Sequence, residues 1–121
     1  MGFTMVKVTV SVSPLANGVH AEEVECLVDT GAYFSVIPAD ILRKAGILPR
    51  DTQKFTLANG HTIVREVGDA VFQIGKHKGA SPVVFGHKGD KMLLGVVALE
   101  AMCLEVDPRR RKLKPTELLL L

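Results

Sequence analysis

The chain opens on an alternation. In FTMVKVTVSV, positions 3 to 12, the apolar Val6, Val8, Val10 and Val12 take turns with more polar residues, and a period of two lays one face of a strand on a core. Pro14, Asn17 and Gly18 then supply turn chemistry, after which Val24, Cys26 and Val28 share one face of a second strand, so a hairpin should join the two. Tyr33 to Ile37 reads as a third strand. Pro38 follows where a first helical turn tolerates its missing N–H. With Asp40 early, Lys44 late and Gly46 just beyond, PADILRKAG carries the start and stop signals of a short helix. Farther on, KFTL and HTIVREV flank Ala58, Asn59 and Gly60. Asn-Gly between two strand-like runs is a strong hairpin signal, and the hairpin is expected over residues 53–67. Strands at 69–75 and 81–86, punctuated by Gly75, Gly79, Pro82 and Gly86, should come next. Met92 to Leu94 is a brief apolar run, Gly95 to Met102 suits a second short helix, and Leu104 to Val106 could close the sheet.

Composition narrows the class. At 121 residues, 47% hydrophobic and 23% charged, the chain has the size and balance of one globular domain over residues 1–121, with a core of its own. A net charge of +2 with scattered basic residues makes no demand for a nucleic-acid partner, and none is expected. The exception is Arg109 to Lys112, a tetrabasic stretch after Asp107 and Pro108 that reads first as a solvated turn. Nucleic-acid contact there is a weaker alternative, to be judged by its salt dependence.

Cys26 and Cys103 have no CxxC pairing. They read as small core hydrophobes, without a disulfide framework or a zinc site. His20, His61, His77 and His87 lack metal-ligand spacing and read as surface residues, so no metal and no cofactor is expected. The first residues do not have the charged start and apolar block of a signal peptide, and the Met1-Gly2 opening fails as a myristoylation motif because Val6 stands where Ser or Thr is required. A cytoplasmic location without membrane attachment is the default expectation. Leu118 to Leu121 is too short to span a bilayer and suggests burial, against a partner chain if not against its own.

Chemistry concentrates in LVDTGAYFS, residues 27–35, where Asp29, Thr30 and Gly31 follow an apolar strand. The segment resembles the active-site loop of the retropepsin-like aspartic proteases: two apolar residues, Asp-Thr-Gly, Ala or Ser, then Ser or Thr three positions on, here Ala32 and Ser35. That family's second hallmark, two apolar residues and a Gly before a short helix, is matched by Leu93, Leu94 and Gly95, and the Asn59-Gly60 hairpin lies between them, where the family keeps its substrate-covering flap. The resemblance spans about residues 5–107. Bland readings stand beside it: Asp29 as an Asx turn at a strand end, Asn59-Gly60 as an ordinary surface turn, Gly95 as a turn before a helix.

The resemblance implies an all-β fold, a closed and mostly antiparallel barrel with one or two short helices. It also implies a reaction. Peptide hydrolysis without a covalent intermediate needs one carboxylate to activate water and a second carboxyl to protonate the scissile carbonyl. Two such groups a few ångströms apart cannot both be ionised and share one proton. Only one Asp-Thr-Gly occurs in this chain, so the partner carboxyl is expected from a second copy across a two-fold axis, each contributing Asp29. In the same family Thr30 would bond across the axis and Ser35 would be structural, while Gly31 would let backbone approach the substrate. Ala32, in place of the serine of pepsin-like sites, removes a hydroxyl donor, which implies a pH optimum less acidic than pepsin's. Two departures stand out: relatives usually have Gly where this chain has Cys103, and retroviral members often have Arg or a polar residue where it has Val96. A homodimer acting on a peptide or protein substrate is the expectation; the alternative is a dimeric peptide-binding or assembly module with little catalysis.

Overall fold

The computed structural model describes residues 6–16, 20–117 and 120. Its strands are β1 (Val6–Ser13), β2 (Glu22–Val28), β3 (Ser35–Pro38), β4 (Asp51–Thr56), β5 (Thr62–Ile74), β6 (His77–Gly86), β7 (Leu93–Leu94), β8 (Leu104–Asp107) and β9 (Lys112–Pro115), with helices α1 (Ala39–Lys44) and α2 (Val96–Ala101). Seven strands form one sheet in the order β1-β2-β7-β3-β6-β5-β4, and β1 also pairs with β5 through Ser11 to Ser13. β2–β7 and β3–β6 are parallel; the remaining pairings described are antiparallel. The molecule is all-β with two short helices, and the core lies between the sheet and those helices.

Local chemistry accounts for the elements. Val6, Val10 and Val12 of β1 and Val24, Cys26 and Val28 of β2 are buried, in a register that sets Val8 against Cys26 and Val10 against Val24, so the period-two alternation is realised on one shared face. They meet Ile37, Leu42, Phe72, Phe85, Leu94 and Met102, all essentially removed from water. Pro38 ends β3 with extended backbone instead of opening the first turn of α1. The close of α1 is as expected: Gly46 has φ +87°, its N–H donates to the Arg43 carbonyl and that of Ile47 to Leu42, both at 2.9 Å, a Schellman arrangement.

Four expectations need correction. The runs at 62–67 and 69–75 are one strand, β5, which passes through Gly68 without a break. Gly68 and Gly79 are strand residues where a second backbone lies too close for a side chain: a Cβ would sit 2.9 Å from the Leu48 carbonyl oxygen and 2.1 Å from that of Ala101. Tyr33 and Phe34 precede β3 and belong to a loop. The segment from Leu104 does not close the main sheet but pairs with β9, which the sequence did not suggest, in a separate two-stranded sheet. Pro108 to Arg111 turn between those strands, exposed, with the Asp107 carboxylate accepting the N–H groups of Arg109 at 3.0 Å and Arg110 at 3.3 Å. Finally, Cys26 is a core residue but Cys103 is not: it sits half-buried in the turn after α2 with φ +58°. Of the terminal leucines, Leu120 is fully exposed and Leu118, Leu119 and Leu121 lie outside the described residues.

Candidate active site

Asp29 stands where β2 runs out. Its N–H donates to the Leu94 carbonyl at 3.0 Å, prolonging the parallel pairing of Leu27 with Leu93 and Val28 with Leu94 by one bond. The chain then turns: the Ala32 N–H donates to the Asp29 carbonyl at 3.1 Å and the Gly31 N–H to Asp29 Oδ1 at 2.9 Å. The Asx turn is therefore real, and it fixes the direction of a carboxyl that is half-exposed, with Thr30 and Gly31 exposed beside it. A Cβ on Gly31 would come 3.3 Å from Asp29 Oδ1, tight but without a backbone collision.

The two sequence motifs, far apart along the chain, meet here. Helix α2 begins with amides that have no partner inside the helix, and the site loop supplies them: the Val96 N–H donates to the Ala32 carbonyl at 2.9 Å and that of Val97 to the Tyr33 carbonyl at 3.2 Å. Ser35, fully buried, accepts the Gly95 N–H on Oγ at 2.9 Å. Gly95 has no room for a side chain, since a Cβ would lie 2.6 Å from the backbone C and O of Phe34. It is thus more than a turn before a helix; its bareness is what lets Leu93-Leu94-Gly95 lie against the Asp29 loop. Val96 takes part through its main chain, so the departure from Arg leaves this joint intact.

The β4–β5 hairpin packs beside the loop and shares a pocket with it. Leu57 and Gly60 close a turn through a 2.9 Å bond from the Gly60 N–H to the Leu57 carbonyl, and Gly60 has φ +86°. Only the glycine is left-handed, so this is a three-residue loop of Ala58, Asn59 and Gly60 with a bulge, not the mirror-image two-residue turn that Asn-Gly favours. Asn59 Oδ1 accepts the His61 N–H at 2.9 Å, and all three loop residues are exposed. Near the tip of the hairpin Phe55 packs edge-on against Phe34, centroids 6.0 Å apart, and Phe34 likewise against Tyr33 at 5.0 Å. Between loop and hairpin lies a pocket of about 450 Å³ whose wall includes Ala32, Phe34, Val36, Phe55, Ile63 and Leu93. Asp29 is not part of its wall.

A two-bond ion pair braces the hairpin, beside the Arg43–Glu66 pair that ties β5 to α1 at 2.6 Å. Arg65 of β5 grips Asp90 of the β6–β7 loop with Nε to Oδ2 at 2.8 Å and Nη2 to Oδ1 at 3.0 Å, and Oδ2 also accepts the His87 N–H at 2.8 Å. The Arg65 bonds hold the Asp90 carboxyl below the usual carboxylate range, against the opposing effect of burial, and Asp90 in turn raises Arg65. Neither residue, nor the Phe34–Phe55 contact, was singled out by the sequence. A pair 25 positions apart has no local pattern; the one available hint was an aromatic residue on each of two segments already suspected of flanking a cleft.

A family model described as "gag-polyprotein putative aspartyl protease" matches residues 16–101, which includes both motifs and the hairpin. No curated protein matches the chain. Among solved structures, the simian foamy virus (mac) protease in solution superposes with a TM-score of 0.50 at 16% identity, over 77% of this chain and 92% of that one. The foamy viral protease-reverse transcriptase, solved in complex with an RNA/DNA hybrid, superposes with a TM-score of 0.54 at 17% identity; it covers 98% of this chain but only 13% of that one. At those identities the likeness is one of fold, and it agrees with the family match. The chain belongs to the gag-polyprotein aspartyl protease family, of retroviral type.

Proposed function

We propose that the chain is an aspartic endopeptidase that acts as a homodimer, two copies bringing two Asp29 carboxyls to one site. The observation that carries this reading is the Asp29 loop itself: a half-exposed carboxyl at the end of a strand, aimed by the Gly31 amide and tied to Leu94, Gly95 and Val96 through main-chain bonds and Ser35. Such a loop is stiff, as a carboxyl that must face its twin requires. A single chain offers one Asp-Thr-Gly, and a two-fold axis supplies the second without further sequence.

One carboxylate takes a proton from water as that water attacks the scissile carbonyl carbon, while the protonated partner gives its proton to the carbonyl oxygen. The carboxyl holding the proton then gives it to the nitrogen of the tetrahedral diol while the other carboxylate takes the proton of a diol hydroxyl; the C–N bond breaks, the new carbonyl forms, and the pair again shares one proton. Thr30, exposed next to Asp29, bonds across the axis in this assembly; the Ala58-Asn59-Gly60 tip covers an extended substrate. The β1–β5 pairing supports reading the sheet as a closed barrel, a rigid base for that geometry.

Asp29→Asn removes the ionisable group with little change of shape. Cleavage of a peptide library by the purified variant should fall to background while its thermal unfolding stays close to wild type. Retained cleavage would remove the aspartic mechanism. Retained peptide binding where the wild type does not cleave would favour a binding module on the same fold.

A further inference from the structure

The net charge of +2 is not spread evenly over the fold. The β8–β9 hairpin carries Arg109, Arg110, Arg111, Lys112 and Lys114 against Glu105 and Asp107, which makes it +3 and leaves −1 for the rest of the chain. Its two faces differ. Leu104, Val106 and Leu113 pack on the core and fix the hairpin to the body, while on the other face Lys112 stands opposite Asp107 and Lys114 opposite Glu105. At the turn the Asp107 carboxylate accepts the Arg109 and Arg110 amides, which settles the backbone that carries the arginines. Arg111 has φ +53°, a conformation that glycine adopts freely and an L side chain does not, so the turn itself gains nothing from arginine there. Among the described residues Arg109, Arg111 and Lys112 enter no ion pair. The pairs of Arg110 with Asp107 at 3.9 Å and Lys114 with Glu105 at 3.8 Å have exposed cations, and such pairs hold weakly.

What such a surface binds follows from what it contains and what it lacks. Residues 104–115 include no aromatic side chain, so there is no platform on which unpaired bases could stack and no anchor of the kind that centres a protein interface. The exposed tip, Pro108 to Arg111, has no long apolar side chain to enter a lipid headgroup layer, and a small basic patch alone holds a membrane weakly. Guanidinium forks, by contrast, match phosphate oxygens two at a time. A ribbon of two strands about 4.8 Å apart is also narrower than the major groove of a B-form duplex, about 12 Å wide. We propose that the β8–β9 hairpin is a docking surface for double-stranded nucleic acid, bound through the backbone phosphates without regard to sequence, with Arg109, Arg111 and Lys112 making the principal contacts.

The test is fluorescence anisotropy of a labelled DNA duplex of about 20 base pairs titrated with the full chain. In about 20 mM salt the dissociation constant should be of roughly micromolar order, and three or four phosphate contacts should weaken binding about fiftyfold to a hundredfold between about 50 and 200 mM salt. Arg109→Gln combined with Arg111→Gln should cut the affinity by at least about tenfold and flatten the salt slope by about two. Lys76→Gln combined with Lys78→Gln takes the same charge from exposed positions around the β5–β6 turn and should leave both nearly unchanged. Asp29→Asn should bind as wild type does, so that failure here leaves the hydrolase reading standing. Parallel titrations use an RNA duplex, a single strand of the same length, a polyglutamate peptide and vesicles containing phosphatidylserine. DNA and RNA duplexes bound alike would place recognition in the phosphates alone; binding of one duplex form would support the surface and assign its partner to that form. No duplex binding in about 20 mM salt, binding indifferent to salt, an equal loss in the lysine variant, or tighter binding to the single strand, the acidic peptide or the vesicles overturns the assignment.

Discussion

A handful of side chains, and two positions that have none or too much of one, hold the site in shape. Gly95 touches the Phe34 backbone so closely that Gly95→Ala must push two chain segments apart. A cost of about 2–3 kcal/mol is expected from forced overpacking, measured by urea unfolding, together with a drop in any peptide cleavage; a variant as stable as wild type would mean that the loop yields easily. Cys103 is the opposite case. Its φ of +58° is a left-handed conformation that costs an L residue about 1–2 kcal/mol and that glycine adopts without that cost. Cys103→Gly should therefore match or exceed wild-type stability by up to about 1 kcal/mol, whereas Cys103→Val should lose more than that. The other thiol is quiet: burial first, and Glu25 second, push Cys26 up to about 12. Much at this scale was legible, since Asp29, Ser35, Leu94 and Gly95 announce themselves by type and order. What each touches was not, because proximity across the fold leaves no mark on either segment alone.

Among the elements, the β4–β5 hairpin carries the largest consequences. It stands on the edge of the sheet, braced by Phe55 against Phe34 and by Arg65 against Asp90. Because the Asp90 carboxyl titrates lower in the fold than the about 3.9 of an unfolded chain, the pair's stabilisation is fully present above that value. It fades as the pH falls through the lower, folded value. Asp90→Asn should lower stability at pH 7 by about 2 kcal/mol, and the gap to wild type should narrow in strong acid; a gap independent of pH would assign the loss to loop geometry instead of charge. The hairpin's existence was readable from Asn59-Gly60, but its turn type was not, because the two-residue and three-residue loops use the same dipeptide. Likewise Gly68 looked like punctuation because sequence cannot distinguish a glycine that bends a strand from one that makes room for the Leu48 carbonyl. The β9 strand escaped for a plainer reason: Lys112 to Pro115 is charged and ends in proline, and only its pairing with β8 makes it a strand.

At the level of the whole molecule, the sheet brings two distant motifs into one joint, and that joint presents one carboxyl. The chain has the fold and the family membership of a retroviral-type protease, and the proposed chemistry asks for one thing the single chain does not contain, a second Asp29. The most direct measurement is therefore a mixing experiment. Wild-type chain at fixed concentration, cleaving a fluorogenic peptide, is titrated with Asp29→Asn chain after exchange of subunits. If each site needs an Asp29 from two copies, mixed dimers are inactive and the rate falls progressively as variant is added, approaching zero at large excess. A rate that depends only on the amount of wild-type chain, however much variant is present, would contradict the shared site.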